Sequence, residues 1–187
     1  MEMSEFNKKR DQHMAEIYQA YSASKQLYID AEEKLSRMNI FLAPLLEHRD
    51  ALDHIMRFYE YTHAGKFTED TLKELANARA HEIRAYFDVA DFICIGIRED
   101  ISSGLDALSG WQIKKVWNDY IKMREEVSSI SDDIAAIRKG RIDTLTYIEQ
   151  YAKVIKRLFE IHVDYERKYL PMLKKKYPWQ FLHEKTF

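Results

Sequence analysis

The chain has 187 residues, of which 46% are hydrophobic and 32% charged, a length and balance that suit one folded domain over 1–187 and exclude a disordered chain. Its 29 basic and 31 acidic side chains nearly cancel, so overall charge gives no argument for a nucleic-acid or membrane partner. The single cysteine, Cys94, excludes an intramolecular disulfide framework and a cysteine-based zinc site.

The opening stretch, MEMSEFNKKRDQH, is polar and lacks the apolar core of a signal peptide. No stretch of the chain approaches 18 uncharged apolar residues, the length that a membrane-spanning helix needs. We therefore expect no membrane span and a cytoplasmic location.

The first two predicted segments follow the helical period. Segment one is expected from about Ser4 to Met38, because apolar or small residues recur every three or four positions from Phe6 onwards. Segment two is expected to begin near Pro44, whose fixed φ suits a first helical turn, and to end at 64–65, where an alanine precedes a glycine.

Three further helical segments follow. Segment three is expected over about 68–104, opened by the hydroxyl cap of Thr68 and the acids after it. Segment four is expected over 110–140, and its heptad seam comprises Val116, Tyr120, Met123, Val127, Ile130, Ile134 and Ile137. Segment five is expected from about 141 until the two prolines of 171–178 bend or stop it.

Short connections favour antiparallel neighbours. The sequence therefore predicts an all-α fold, an elongated up-and-down antiparallel bundle of about five helices. Segment five is apolar around more than half of its circumference, which indicates either a central helix or a helix face covered by a partner. For the second case we expect a homodimer, the commonest assembly.

Arg49 shares a three-four spacing with apolar residues of segment two, and we expect it to face inward with them on a seam of Leu42, Leu45, Leu52, Met56, Tyr59 and His63. His54 lies about 140° around the helix from Arg49, on a stripe with Glu47, Ala51 and Phe58. The presence of Phe58 on this otherwise charged face indicates that the face meets something.

Two interpretations of Arg49, Asp50 and His54 stay open. They are members of ordinary i,i+4 pairs on an exposed helix, each worth a few tenths of a kcal/mol. Alternatively, an arginine, a polar residue, three further residues and a histidine form a pattern that resembles the motif of the HEPN superfamily of all-helical domains. The resemblance implies a metal-independent RNA endonuclease, or a nucleotide- or RNA-binding component of a prokaryotic defence or toxin–antitoxin system, with two motif copies meeting across a homodimer.

The chemistry implied by that resemblance needs neither metal nor cofactor. A neutral His54 would take the proton from an RNA 2′-hydroxyl. Arg49 would stabilise the charge that grows on the phosphate, and a cyclic phosphate would be left. The other functional hypothesis is a non-catalytic helical module for protein–protein interaction or dimerisation.

Segment three carries polar side chains at coiled-coil spacing, namely Asn77, His81, Arg84, Asp88 and Asp91. Such a stripe is a solvated face, a buried network in which every member needs a partner, or an interhelical pocket for a small anion or nucleotide. If the network is buried, Arg49 is the partner that we expect for Asp88 or Asp91.

The tail interleaves cations and aromatic residues, with Lys174, Lys175 and Lys176 close to Trp179. This pattern is compatible with RNA contact by phosphate binding and base stacking, with contact to an anionic membrane surface, or with a solvated helix end whose aromatics fold back. The tail and Phe58 are therefore the candidate RNA or partner contacts. One Glu-x-x-His spacing, Glu60 to His63, is too little for a di-iron centre, and no metal site is expected.

Overall fold

The computed structural model describes residues 1–34, 42–139 and 145–185. Within them, the α-helices are α1 Met3–Lys34, α2 Leu42–His63, α3 Glu69–Leu105, α4 Gly110–Lys114, α5 Tyr120–Lys139, α6 Leu145–Asp164 and α7 Leu170–Lys176. A π-helical turn, Tyr165–Tyr169, joins α6 to α7, and a 3₁₀ segment follows at Pro178–Lys185. These ranges contain no strand, so the all-α prediction is confirmed, and a bundle of about five long helices is consistent with it.

None of the described helices combines the length and the apolar character that crossing a membrane requires. The predicted end of segment one near Met38, the predicted end of segment four at 140 and the predicted start of segment five near 141 lie outside the described residues.

The chain groups into two compact units. Unit 1 comprises the described parts of 1–92 and 141–150, and unit 2 those of 93–140 and 151–187. Both α3 and α6 contribute residues to each unit. The single domain expected from the length stays a prediction.

The turn between α2 and α3 has the predicted signals at both helix ends. Gly65 adopts a φ of 75°, and the N–H of Lys66 bonds the carbonyl of Tyr61 while that of Gly65 bonds Thr62, the pair of bonds that closes a Schellman cap. At the start of α3, Thr68 Oγ1 accepts from the Thr71 N–H at 3.3 Å. This tight turn returns the chain as an adjacent helix.

Contacts within unit 1 set the direction of its helices. Residues of α2 and α3 pair in reverse order, since Glu47 bonds His81 and His54 bonds Glu74. Between α1 and α2 the order is also reversed, because Phe6 stacks on Phe58 whereas Ser24 lies beside His48. The first part of α3 therefore runs antiparallel to α2, as the short connection predicts.

The side of α2 that faces the core differs from the predicted one. Ala51 is fully buried and packs in the core of unit 1 with Ile17, Leu75 and Ala78, while Ile55 and Phe58 pack against this core. The residues of the predicted seam point outward instead, namely Leu42, Leu45, Leu52, Met56 and Tyr59. The prediction of an inward Arg49 is therefore wrong, and its side chain is 68% exposed.

Helix α2 turns its small and polar side inward because that side matches its neighbours. Ala51 permits close approach of the helices. Beside it, Glu47, His48 and His54 each form a hydrogen bond with a side chain of α3. Burial of polar groups is tolerated when each has a hydrogen-bond partner. Residues of α1, α3 and the later helices follow the predicted apolar rhythm, with these buried among others: Phe6, Ala20, Leu27, Ala31, Ile83, Tyr86, Ala90, Ile93, Ile97, Ile130, Ile134, Tyr151 and Leu158.

In unit 2 the predicted segment four is interrupted. Helix α4 ends at Lys114 and α5 begins at Tyr120. Between them Trp117 is buried, and its indole stacks on Tyr169 with ring centroids 4.0 Å apart. A continuous helix was expected from the seam spacing alone, which carries no information on an aromatic partner fifty residues later. Cys94 is buried.

Candidate functional site: a histidine cluster between α2 and α3

Three histidines of unit 1 each donate from Nδ1 to a glutamate on the opposite helix. The Nδ1–Oε2 distances are 2.8 Å for His48 and Glu82, 2.6 Å for His54 and Glu74, and 2.8 Å for His81 and Glu47. The pairs His48–Glu82 and Glu47–His81 are adjacent along both antiparallel helices, and His54–Glu74 lies about two turns away. Each of these buried or half-buried groups therefore has a partner.

His54 and His81 lie side by side. Their rings are stacked with centroids 5.2 Å apart and an angle of 29° between planes. Each side chain keeps 18% of its surface exposed. We call these two residues, with Glu47, Glu74 and Asp50, the histidine cluster.

The glutamates orient the two rings of the histidine cluster. A neutral imidazole that donates from Nδ1 carries its lone pair on Nε2. Among the described residues, no hydrogen bond reaches Nε2 of His54 or His81. His48 differs, because its Nε2 lies 3.4 Å from Ser24 Oγ and its ring packs edge-on against Tyr21. The cluster thus holds two imidazoles that the glutamates orient, each with Nε2 as its basic nitrogen in the neutral form.

Charges surround the cluster on its outer side. Arg84 donates from Nε to Oε2 of Glu47 at 2.9 Å. Arg49 donates to Oδ1 of Asp50 through Nε at 3.0 Å and Nη2 at 2.6 Å. The hydrogen bond from Arg49 lowers the pKa of Asp50, and a positive charge on His81 or His54, when either ring is protonated, lowers it further. Asp50 therefore lies within electrostatic reach of both rings and stays ionised beside them.

The predicted site residues are brought together only in part. His81 and Arg84 of the polar stripe join the cluster through Glu47, whereas Arg49 binds Asp50 and not the expected Asp88 or Asp91. Asp88 and Asp91 are half-buried further along α3. Asn77 is half-buried and lines a groove of about 520 Å³ with Glu74.

Arg49 and His54 point to different sides of α2. Arg49 lies on the outward face with Leu45 and Leu52, whereas His54 faces α3. The two side chains of the proposed motif therefore do not converge within one chain, and their catalytic role stays a prediction.

Phe58 and the tail occupy different surroundings. Phe58 is half-buried and stacks on Phe6, so the face that it marks meets α1 of the same chain. Lys174, Lys175 and Lys176 are exposed at the end of α7. Trp179 is 78% exposed and does not fold back onto the helices.

Sequence reasoning missed His48, Glu74 and Glu82 as site residues. The signal that could have found them is the reverse order of acids and histidines across the turn at Gly65. It also missed His162, which is buried in unit 2 with Nε2 at 3.6 Å from Asp100 Oδ2. No group of three acids, histidines or cysteines in the described ranges is arranged to hold a metal ion.

Comparison of the chain with protein-family models, with curated proteins and with solved structures found no match.

Proposed function

We propose that this protein is a helical dimerisation module, which pairs with a second copy of itself through the outward face of α2. The observation that carries the proposal is the rotation of α2 about its own axis, which turns its leucines away from the core of unit 1. Its outward face consists of the exposed apolar residues Leu42, Leu45, Leu46, Leu52, Met56 and Tyr59, and we call it the α2 stripe.

The size of the α2 stripe supports an interface. Leu42 is 65% exposed, Leu52 57% and Tyr59 62%. With the other three members, the exposed surface is on the order of 700 Å², close to the roughly 800 Å² that each partner buries in a standard interface. Monomeric proteins rarely leave so large an apolar patch open.

The spacing of the α2 stripe favours a second copy as the partner. Residues 42, 45, 49, 52, 56 and 59 alternate steps of three and four, which is the seam of a two-stranded coiled coil. In an antiparallel pair with its two-fold axis between residues 50 and 51, Leu42 faces Tyr59, Leu45 faces Met56 and Arg49 faces Leu52. The stripe is therefore complementary to itself.

Charge is also complementary in this register. Arg49 is the one cation among the facing seam residues, and on the second copy it would lie next to Asp53, which adjoins Leu52. A guanidinium among leucines is tolerated in an interface when a carboxylate accepts its N–H groups. In the single chain Arg49 binds Asp50, and Arg57 binds Asp53, so both acids already lie beside the seam.

The decisive test measures molar mass by light scattering and sedimentation at tens of micromolar. Wild-type protein is expected to be a dimer. Leu52→Lys should give a monomer because it places a cation against Arg49, whereas Leu52→Glu should retain part of the dimer because it supplies a carboxylate there. Met14→Lys, at an exposed apolar position of α1, is the matched control and should stay dimeric. A monomeric wild type, or a Leu52→Lys variant as dimeric as wild type, would refute the proposal.

We also propose RNA cleavage as a second candidate function, supported by the paired imidazoles of the histidine cluster. One neutral ring, at Nε2, would take the proton of a 2′-hydroxyl as O2′ attacks the phosphorus. The other ring, protonated, would deliver a proton to the departing O5′. The products would be a 2′,3′-cyclic phosphate and a free 5′-hydroxyl, as the HEPN resemblance also implies.

The test of cleavage uses single-stranded RNA in EDTA, with the matching DNA strand as a substrate that lacks the 2′-hydroxyl. His81→Ala and Arg49→Ala distinguish the two versions of the site. Loss of cleavage in His81→Ala alone supports the paired imidazoles, while loss in Arg49→Ala alone supports the HEPN-like motif. RNA left intact by wild type, or cleavage unchanged in His54→Ala, rejects both.

A further inference from the structure

We infer that unit 2 contains a binding site for a small carboxylate with an apolar body, held by Arg98. The site is a cavity of about 600 Å³ between the end of α3, α4 and α5. This volume lies within the range of about 300–1,000 Å³ that small-molecule sites occupy.

The floor of the Arg98 cavity is apolar. It is formed by side chains that are each buried to more than nine-tenths, namely Ile101, Leu105, Leu108, Ile113 and Met123. From Arg98 to Leu105 the cavity follows seven residues of α3, or about 10 Å at 1.5 Å per residue. An extended acyl chain of medium length matches this floor.

Arg98 lies at one end of the floor and is held in place by neutral groups. Its Nε donates to the carbonyl of Cys94 at 3.0 Å, and its Nη1 donates to Ser131 Oγ at 2.8 Å. Ser131 in turn donates to the carbonyl of Val127 at 3.1 Å, which orients its oxygen towards the guanidinium. The arginine is therefore fixed before any ligand arrives.

The guanidinium of Arg98 is half-buried, and no carboxylate of the described residues forms an ion pair with it. A partly desolvated cation without an anion is unfavourable unless something pairs with it. Since Nη2 makes no hydrogen bond within the described ranges, it is available to a ligand carboxylate, with Ser128 on the same wall.

The remaining charges of the cavity define where the carboxylate binds. Arg124 lines it too, over the ring of Tyr120 at 5.9 Å from the centroid, and adds positive potential. Asp106, just past the end of α3 and eight residues after Arg98, also lines the cavity and disfavours an anion beside it. The ligand carboxylate is therefore placed at Arg98, with the apolar body directed along the floor.

The experiment measures binding of octanoate to the full chain by titration calorimetry, with octanamide as the uncharged ligand of the same shape and octyl phosphate as the alternative anion. Octanoate should bind with one molecule per chain and at least tenfold more tightly than octanamide. Arg98→Gln should weaken octanoate at least tenfold, and Arg98→Lys should restore part of the affinity. Arg10→Gln, at a surface arginine of α1, should leave it unchanged.

Three results would overturn the inference: no binding of octanoate, equal binding of octanamide, or unchanged affinity in a folded Arg98→Gln variant. Tighter binding of octyl phosphate would replace the carboxylate with a phosphate as the ligand class. The comparison of octanoate with octanamide uses only wild-type protein, so it remains decisive if a variant fails to fold.

Discussion

A single carbon added at Gly104 should have a clear effect on the free energy of unfolding. Gly104 lies in the last turn of α3, and a β-carbon there would lie 1.9 Å from Oη of Tyr165 and 3.2 Å from its Cζ. Tyr165 is 1% exposed, and its ring stacks against Trp117 with centroids 6.3 Å apart. Because the tyrosine is enclosed, it cannot move aside cheaply.

The magnitude for Gly104→Ala follows from two opposing effects. Overpacking a closed site costs about 1–3 kcal/mol. Replacing glycine by alanine within a helix returns about 0.5–1 kcal/mol. Because 1.9 Å is far inside contact distance, the upper part of the overpacking range, about 2–3 kcal/mol, applies. The net loss of unfolding free energy is therefore roughly 1–2.5 kcal/mol, and at about 2–4 °C per kcal/mol for a protein of this size the Tm should fall by roughly 2–10 °C.

The assay is thermal and urea unfolding followed by circular dichroism. Gly110→Ala is the matched control, because nothing lies within 4 Å of a β-carbon there, and it should unfold within about 0.5 kcal/mol of wild type. In a Tyr165→Phe background the hydroxyl is gone, so Gly104→Ala should cost less than in wild type. A Gly104→Ala variant that melts at or above the wild-type temperature would show that the tyrosine does not pack there.

Three further predictions concern unit 1. Ala51→Leu should lower the unfolding free energy by about 1–3 kcal/mol, whereas Leu52→Ala, one position later but outward, should change that of the monomer by less than about 0.5 kcal/mol. Leu75→Ala, in the core beside Ala51, should cost about 2–5 kcal/mol in urea unfolding. Burial, followed by the charge of Arg79, lowers the pKa of His13 from its ordinary 6.5. As the pH falls, His13 is therefore protonated in the unfolded chain at a higher pH than in the folded chain. Stability should therefore fall as the pH drops below about 6.5, and His13→Gln should reduce the difference in Tm between pH 7.5 and 5.5.

Unfolding is to be measured at concentrations where the chain is monomeric, so that pairing does not contribute. A Leu52→Ala variant less stable than Ala51→Leu would restore the predicted seam as the buried side of α2. An unchanged pH dependence in His13→Gln would show that other groups account for the acid loss of stability.

The apolar rhythm was enough to predict most of the helices but not the orientation of α2. On α1 and α3 one regularly spaced set of apolar residues is buried, while exposed ones such as Met14, Tyr18 and Ile95 form no competing seam of leucines, so period and burial agree. On α2 two sides compete, one with leucines and one with Ala51, Ile55 and Phe58. Which side of α2 is buried depends on the side chains that α1 and α3 present to it, and the spacing of apolar residues within α2 alone does not contain that information.

The sequence predicted only part of the candidate site. His81 and Arg84 stood out as polar residues at seam spacing, and both belong to the network that forms. Their partner is Glu47, which was not predicted. Arg49 binds Asp50 instead of the expected Asp88 or Asp91, because α2 is rotated from the predicted orientation. The pairings of Glu74 and Glu82 arise from the antiparallel register across the Gly65 turn, which becomes visible only when both helices are considered together.

The π turn at Tyr165–Tyr169 has a consequence for insertions and deletions. The N–H of Leu170 reaches back five residues to the carbonyl of Tyr165, so this turn holds one residue more than an α-helical turn. The wider turn also accommodates Pro171, whose ring would clash with the carbonyl four residues earlier in a regular helix. Removing one residue here would rotate α7 by about 100° and carry Leu173, now fully buried, towards solvent. In this stretch the number of residues, more than their identity, decides which side of the C-terminal helix the lysines occupy.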